Sequence, residues 1–168
     1  EMSASLVGSE MCIRDSADTA YKMLLNTQCP SWLYEVRVGA TTVWERWDGL
    51  DENGECPIGD DGTDMMISYN HYASGAVGAF LYRRVLGVEP TEAGYRKFKF
   101  APVVGGGITE AEGTVGTPYG VIKAAWKIAD GEMTMTVAVP VGTECTVVLP
   151  SGEEKVLASG EYTVTAKA

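Results

Sequence analysis

Residues 121–139 read Val-Ile-Lys-Ala-Ala-Trp-Lys-Ile-Ala-Asp-Gly-Glu-Met-Thr-Met-Thr-Val-Ala-Val. Met133, Met135, Val137 and Val139 alternate with Thr134, Thr136 and Ala138, the period of a strand with one buried face. Asp130-Gly131 separates the run 121–128 from the run 133–139. Both residues tolerate the positive φ of a tight turn, so the pair predicts a hairpin. Working outward, further strands are expected over residues 95–101, 108–115, 145–149, 154–157 and 162–166, with Pro102, Gly105-Gly106-Gly107, Pro118, Pro140 and Pro150-Ser151-Gly152 supplying the breaks. Short strands at this spacing indicate an antiparallel β-sandwich.

Before residue 90 the pattern is helical. Ala17, Ala20, Tyr21, Leu24 and Leu25 follow helical spacing over residues 17–26, and Pro30 comes shortly after the end. A second helix is expected over residues 70–86, with Ala73, Val77, Leu81 and Val85 in one stripe and Phe80 beside it. Arg83 and Arg84 suit the last turn, Gly87 a C-terminal cap and Pro90 a stop. Between them, residues 28–69 read as one long connection holding Trp32, Trp44, Trp47 and an acidic stretch; a connection of that length is usually functional or disordered. The fold class is therefore mixed α and β in separate regions. Two such helices would not stand alone.

The 168 residues carry 23 acidic and 13 basic side chains, a net charge of −10, with 45% hydrophobic residues. That balance opposes binding to nucleic acid, which needs a surplus of Lys and Arg. No run of 18 apolar residues exists to span a membrane. Residues 6–16, Leu-Val-Gly-Ser-Glu-Met-Cys-Ile-Arg-Asp-Ser, read as a translated sequencing adaptor, and residues 1–16 are expected to be an artefactual tail. They lack the basic start and apolar core of a secretory leader. Without them the balance is 12 basic to 20 acidic side chains, a net charge of −8, and three cysteines remain: Cys29, Cys56 and Cys145. Their spacing suggests buried free thiols and neither a disulfide framework nor a metal site.

Chemistry concentrates in residues 39–49, Gly-Ala-Thr-Thr-Val-Trp-Glu-Arg-Trp-Asp-Gly. Indole faces stack on the C–H faces of a pyranose ring. A carboxylate between them, Glu45, can accept a proton from water, with Arg46 or its neighbours keeping it ionised. The other reading of the same residues puts Trp44 and Trp47 in the core and makes Glu45–Arg46 a surface pair. His71, the single histidine, opens the second helix and can equally be satisfied there by backbone. Asp48, Asp51, Glu52, Asp60, Asp61 and Asp64 fail the spacing of a calcium loop and read as a solvated loop. Gly105-Gly106-Gly107 precedes no helix, so it is a turn and no phosphate cradle. No metal and no cofactor is expected.

Residues 20–27 (Ala-Tyr-Lys-Met-Leu-Leu-Asn-Thr), Pro30-Ser31-Trp32, residues 39–49, Ser68-Tyr69-Asn70-His71-Tyr72-Ala73, Gly94-Tyr95 through Pro102, Gly105-Gly106-Gly107 and Thr117-Pro118-Tyr119-Gly120 succeed one another in order. Together they resemble the last third of the bacterial α-L-rhamnosidases of glycoside hydrolase family 78, over all of residues 17–168. The resemblance implies the end of an (α/α)6 catalytic barrel over residues 17–91 and a C-terminal β-sandwich over residues 92–168. It also implies inverting hydrolysis of terminal α-L-rhamnosides, from a rhamnose-containing glycoside or polysaccharide. Glu45 would be the general base, and His71 would hydrogen-bond a sugar hydroxyl. Trp44 and Trp47 would wall the pocket against the sugar's methyl group, unless one of them lies in the core instead. The family's general acid lies in an upstream Arg-Asp-Glu-Arg type of motif that nothing in residues 17–168 resembles, so this stretch alone is expected to hydrolyse nothing. Tyr34-Glu35-Val36-Arg37-Val38 departs from the acidic-Asn pair of many relatives, and Leu33 stands at a common glycine. The alternative is a non-catalytic carbohydrate-binding or interaction module built on the sandwich. It requires exposed aromatics on one sheet face, drawn from Tyr95, Phe98, Phe100, Tyr119, Trp126 and Tyr162. Localisation is left open by the sequence.

Overall fold

The computed structural model describes residues 17–59, 62–63 and 65–168. The adaptor-like segment and Asp60, Asp61 and Asp64 of the acidic run lie outside the described residues. The described residues fall into two compact units, one up to residue 78 and one from residue 79.

In the first unit, helix α1 (Ala17–Leu24) buries Ala20 and Tyr21, the face its spacing predicts. A short helix, α2 (Trp32–Arg37), interrupts what the sequence reads as one connection. Its start is set by Ser31, whose Oγ accepts the Tyr34 N–H at 3.0 Å, satisfying one of the donors every helix leaves open. Six residues are too few to establish a helical period, so the sequence pattern does not reveal them.

The helix expected over residues 70–86 is not continuous. It comprises α3 (Tyr72–Gly75), α4 (Val77–Phe80) and a π turn over Leu81–Val85, closed by the Leu86 N–H donating to the Leu81 carbonyl at 2.8 Å. Gly75 and Gly78 lower the helix propensity where the break falls. The extra residue of a π turn rotates the chain beyond it by about 100°. Phe80 and Val85 are buried accordingly, while Leu81 of the expected stripe is 40% exposed.

The second unit is a sandwich of two four-stranded sheets. One has the order β1 (Val88–Pro90), β2 (Lys97–Phe100), β6 (Glu144–Val148), β7 (Glu154–Leu157); the other runs β3 (Glu110–Thr117), β4 (Gly120–Ala129), β5 (Glu132–Val139), β8 (Gly160–Lys167). The second sheet is wholly antiparallel. The first is mixed, because β2 pairs with β6 in parallel, Phe98 opposite Cys145 and Phe100 opposite Val147. The purely antiparallel sandwich is corrected on this point. The chain leaves β2, builds β3–β5 in the other sheet and returns beside β2 in the same direction, which only a crossover allows. Side-chain alternation carries no information on strand direction. Strand β1 is also new: Val88 is wholly buried, and Pro90 closes a strand at the sheet edge, where its missing N–H costs no ladder bond.

The hairpin forms as read. Asp130 and Gly131 have φ of 52° and 79°, and Ala129 faces Glu132 across the turn. Val88, Phe98, Phe100, Cys145 and Val147 of one sheet meet Ile122, Trp126, Met133, Met135 and Val137 of the other in one core. Each large apolar side chain buried there contributes roughly 1.5–3 kcal/mol. The Trp126 indole N–H donates to the Val85 carbonyl at 2.8 Å, so this buried donor is satisfied. The three cysteines among the described residues are free, but of these only Cys145 is buried, its thiol pushed up to about 12 by desolvation; Cys29 is exposed and Cys56 partly so, correcting the expectation of buried thiols throughout.

Gly87 has φ +89°, and a Cβ there would stand 2.3 Å from the Pro102 nitrogen, whereas Gly131 has φ +79° with open space around it. Gly131→Ala should cost about 1–2 kcal/mol, the ordinary strain of a left-handed residue. Gly87→Ala should cost clearly more, since backbone must also move. Urea denaturation followed by the amide signals of β4 and β5 checks this; equal losses would contradict the packing described.

Candidate active site

Residues 42–45 and 68–71 lie side by side in opposite directions. The Thr42 hydroxyl donates to the Tyr69 carbonyl, the His71 N–H donates to the Val43 carbonyl at 2.8 Å, and the Glu45 N–H donates to the Ser68 carbonyl at 2.8 Å. Glu45 and His71, distant in sequence, thus sit on neighbouring backbone segments.

Glu45 is exposed. One oxygen of its carboxylate accepts the Ser68 N–H at 3.0 Å, and its own carbonyl accepts from the Ser74 hydroxyl at 3.5 Å. A solvent-facing carboxylate with one oxygen anchored keeps a fixed direction while still reaching water, which is what a base acting on water needs. Arg46 does not pair with it. Its guanidinium is bidentate to Asp48, at 3.0 and 2.8 Å, and its third nitrogen meets the Met65 sulfur at 3.4 Å. The Asp48 carboxyl is held below the usual range chiefly by the Arg46 hydrogen bonds. The Glu45–Arg46 pair considered from the sequence is therefore replaced by Arg46–Asp48.

The two tryptophans take different places. Trp44 is 3% exposed, packs edge-on against Tyr69 with centroids 5.3 Å apart, and touches Gly49, where a Cβ would come within 2.9 Å of its ring. It belongs to the core of this unit. Trp47 is half-buried and meets the edge of Trp32 at 4.8 Å; its indole N–H is buried with no acceptor among the described residues. Trp32 in turn donates to the Ser74 carbonyl at 3.0 Å. His71 caps α3, its Nδ1 accepting the Ala73 N–H at 3.2 Å while its ring stacks on Tyr72. An accepting Nδ1 leaves the ring proton on Nε2, which makes His71 a donor on its other side.

Sequence reasoning missed Glu35 as a member of this site. It is 2% exposed; one carboxyl oxygen accepts the Trp44 N–H at 3.3 Å and the other has no partner. Burial pushes its carboxyl up, only partly offset by the Trp44 N–H. The available signal was an acid between Tyr34 and Val36, on a helix too short to be seen. The described members of the acidic run are engaged within the protein: Glu52 binds Arg37 at 2.7 Å, and Asp51 accepts the Asn53 and Glu55 N–H groups at 2.8 and 2.9 Å. No metal-binding cluster occurs among the described residues, and no helix there is long and apolar enough to cross a membrane.

The sandwich offers a shallow cleft of about 800 Å³ on the sheet β3-β4-β5-β8, lined by residues such as Glu112, Lys123, Thr136, Glu161 and Thr163. Of the aromatics such a carbohydrate-binding face would need, Tyr162 alone lines this cleft. Phe98, Phe100 and Trp126 are buried, Tyr95 and Tyr162 pack against the core, and Tyr119 is exposed in the turn before β4.

Residues 3–85 match the bacterial alpha-L-rhamnosidase 6 hairpin glycosidase domain, and residues 87–163 the bacterial alpha-L-rhamnosidase C-terminal domain. Helical segment and sandwich thus each match a domain of glycoside hydrolases. Over both regions the chain is similar to the bacterial α-L-rhamnosidases. An alpha-L-rhamnosidase of Formosa agariphila is 37% identical over 141 residues, covering 83% of this chain and 15% of that protein; one of Streptomyces avermitilis is 37% identical over 134 residues, covering 80% and 12%. Among solved structures, the Aspergillus terreus enzyme aligns with a TM-score of 0.77 at 38% identity over 86% of this chain and 17% of its own. The S. avermitilis enzyme complexed with L-rhamnose aligns at 0.76 and 32% identity, over 89% and 16%. The chain spans about 15% of the length of the first of these relatives.

Because burial raises the Glu35 carboxyl above its ordinary value of 4.5, its contribution to stability is fully present below that value and is lost as pH rises through the folded-state value. Glu35→Gln should match the wild type near pH 4 and exceed it in urea midpoint at neutral pH. A variant less stable than wild type at both pH values would contradict this placement.

Proposed function

We propose that the chain is the C-terminal portion of an inverting α-L-rhamnosidase. The helical segment from residue 17 up to residue 85 ends its (α/α)6 catalytic barrel, and the sandwich after it begins with β1, a few residues earlier than the boundary at 91/92 expected from the sequence. The observation that carries this reading is the Glu45 carboxylate, exposed yet anchored by Ser68, on a segment paired with the one bearing His71. In inverting hydrolysis a water attacks the anomeric carbon from the face opposite the leaving group. Glu45 takes the proton of that water, while an acid roughly 6.5–9.5 Å away gives one to the departing glycosidic oxygen. That acid belongs to barrel residues outside this chain.

His71 Nε2–H donates to a sugar hydroxyl. Trp47 gives the sugar an apolar wall, with Trp44 behind it as packing. The substrate is a rhamnose-terminated glycoside or polysaccharide, the class suggested by the relative complexed with L-rhamnose. Hydrolysis of this kind asks for no cofactor, and the net charge of −10 opposes a nucleic-acid partner.

The purified chain should release no nitrophenol from 4-nitrophenyl α-L-rhamnoside. Residues 17–168 grafted in place of the matching segment of the S. avermitilis enzyme should restore release. In that graft Glu45→Gln should lower kcat by about 10²–10⁴, the usual worth of a general base, with KM little changed. His71→Ala should act mainly on KM. Turnover by the chain alone, or an active Glu45→Gln graft, would overturn the proposal.

A further inference from the structure

We infer that Glu35 is the positioning residue of Glu45, an inference that rests on Glu45 being the general base. Residue 35 grips the run leading to Glu45 at both ends: its carbonyl accepts the Ala40 N–H at 2.9 Å and its side chain accepts the Trp44 N–H at 3.3 Å. The second bond fixes the residue immediately before Glu45. Beyond it, the Glu45 N–H and carboxylate are both tied to Ser68. The base is thus held from one side by Glu35 and from the other by Ser68.

A carboxyl group is an expensive way to fill this volume. It is 2% exposed and leaves one oxygen without a partner, and a buried polar atom left unpaired costs free energy that a leucine or methionine would not. What the acid supplies and an apolar side chain cannot is an acceptor for the Trp44 N–H, a donor that would otherwise be stranded beneath a ring only 3% exposed. Either protonation state of Glu35 provides that acceptor, and so does the carbonyl oxygen of glutamine.

The test reads geometry without reading hydrolysis. In the ¹⁵N-labelled chain the Trp44 amide should be protected from exchange, and the Ser68 amide shift should track the titration of the Glu45 carboxylate it bonds. Glu35→Leu should speed Trp44 exchange by about tenfold or more and remove most of the Ser68 response, with the amides of α1 still protected. Glu35→Gln should restore both signals. An unprotected Trp44 amide in the wild type, a Ser68 response intact in Glu35→Leu, loss of α1 protection along with it, or failure of glutamine to rescue would each overturn the inference. Failure of Glu45 as a base would appear separately, as an active Glu45→Gln graft.

Discussion

The first unit depends on a short pairing of two irregular segments, residues 42–45 against residues 68–71. Its helices are brief: α2 has six residues and α3 four. Helices of that length do not persist on propensity. What holds them is a set of side chains that reach backbone groups: Ser31 and His71 at helix starts, Trp32 to the Ser74 carbonyl, Tyr34 to the Leu50 carbonyl at 3.0 Å, and Glu35 to Trp44. Each satisfies a group that a loop would otherwise leave open. The same bonds align the segments that carry Glu45 and His71, the residues of the proposed site.

The sandwich is built the opposite way. Its polar backbone is satisfied by strand ladders, and its side chains are left to form an apolar core around Trp126, Phe98 and Phe100. That leaves the outer sheet face to small and charged residues, threonine prominent among them. A surface of this composition has little with which to stack on a sugar ring. The proposed site accordingly lies in the first unit.

This contrast also explains what is legible in the sequence. Alternation at Met133–Val139 and the Asp130-Gly131 turn are legible because strand periodicity and positive-φ chemistry are local. The parallel pairing of β2 with β6 is not, since direction depends on a crossover through the other sheet. The π turn escapes because its effect is a single extra residue in an otherwise helical run. Within the site, Glu45 and His71 stand out by residue type and resemblance. The role of Glu35 depends on a bond to Trp44 across a fold-back, and no spacing encodes that. Arg46 pairs with Asp48 and not Glu45 because the fork of a guanidinium fits a carboxylate facing it bidentately.

The central claim is that Glu45 activates water and does not itself attack the sugar. The direct measurement is the anomer first released by the grafted enzyme, monitored by ¹H NMR before mutarotation mixes the forms. The account predicts β-L-rhamnose as the first product from an α-L-rhamnoside. α-L-Rhamnose appearing first would contradict it, because retention requires a carboxylate that bonds to the anomeric carbon.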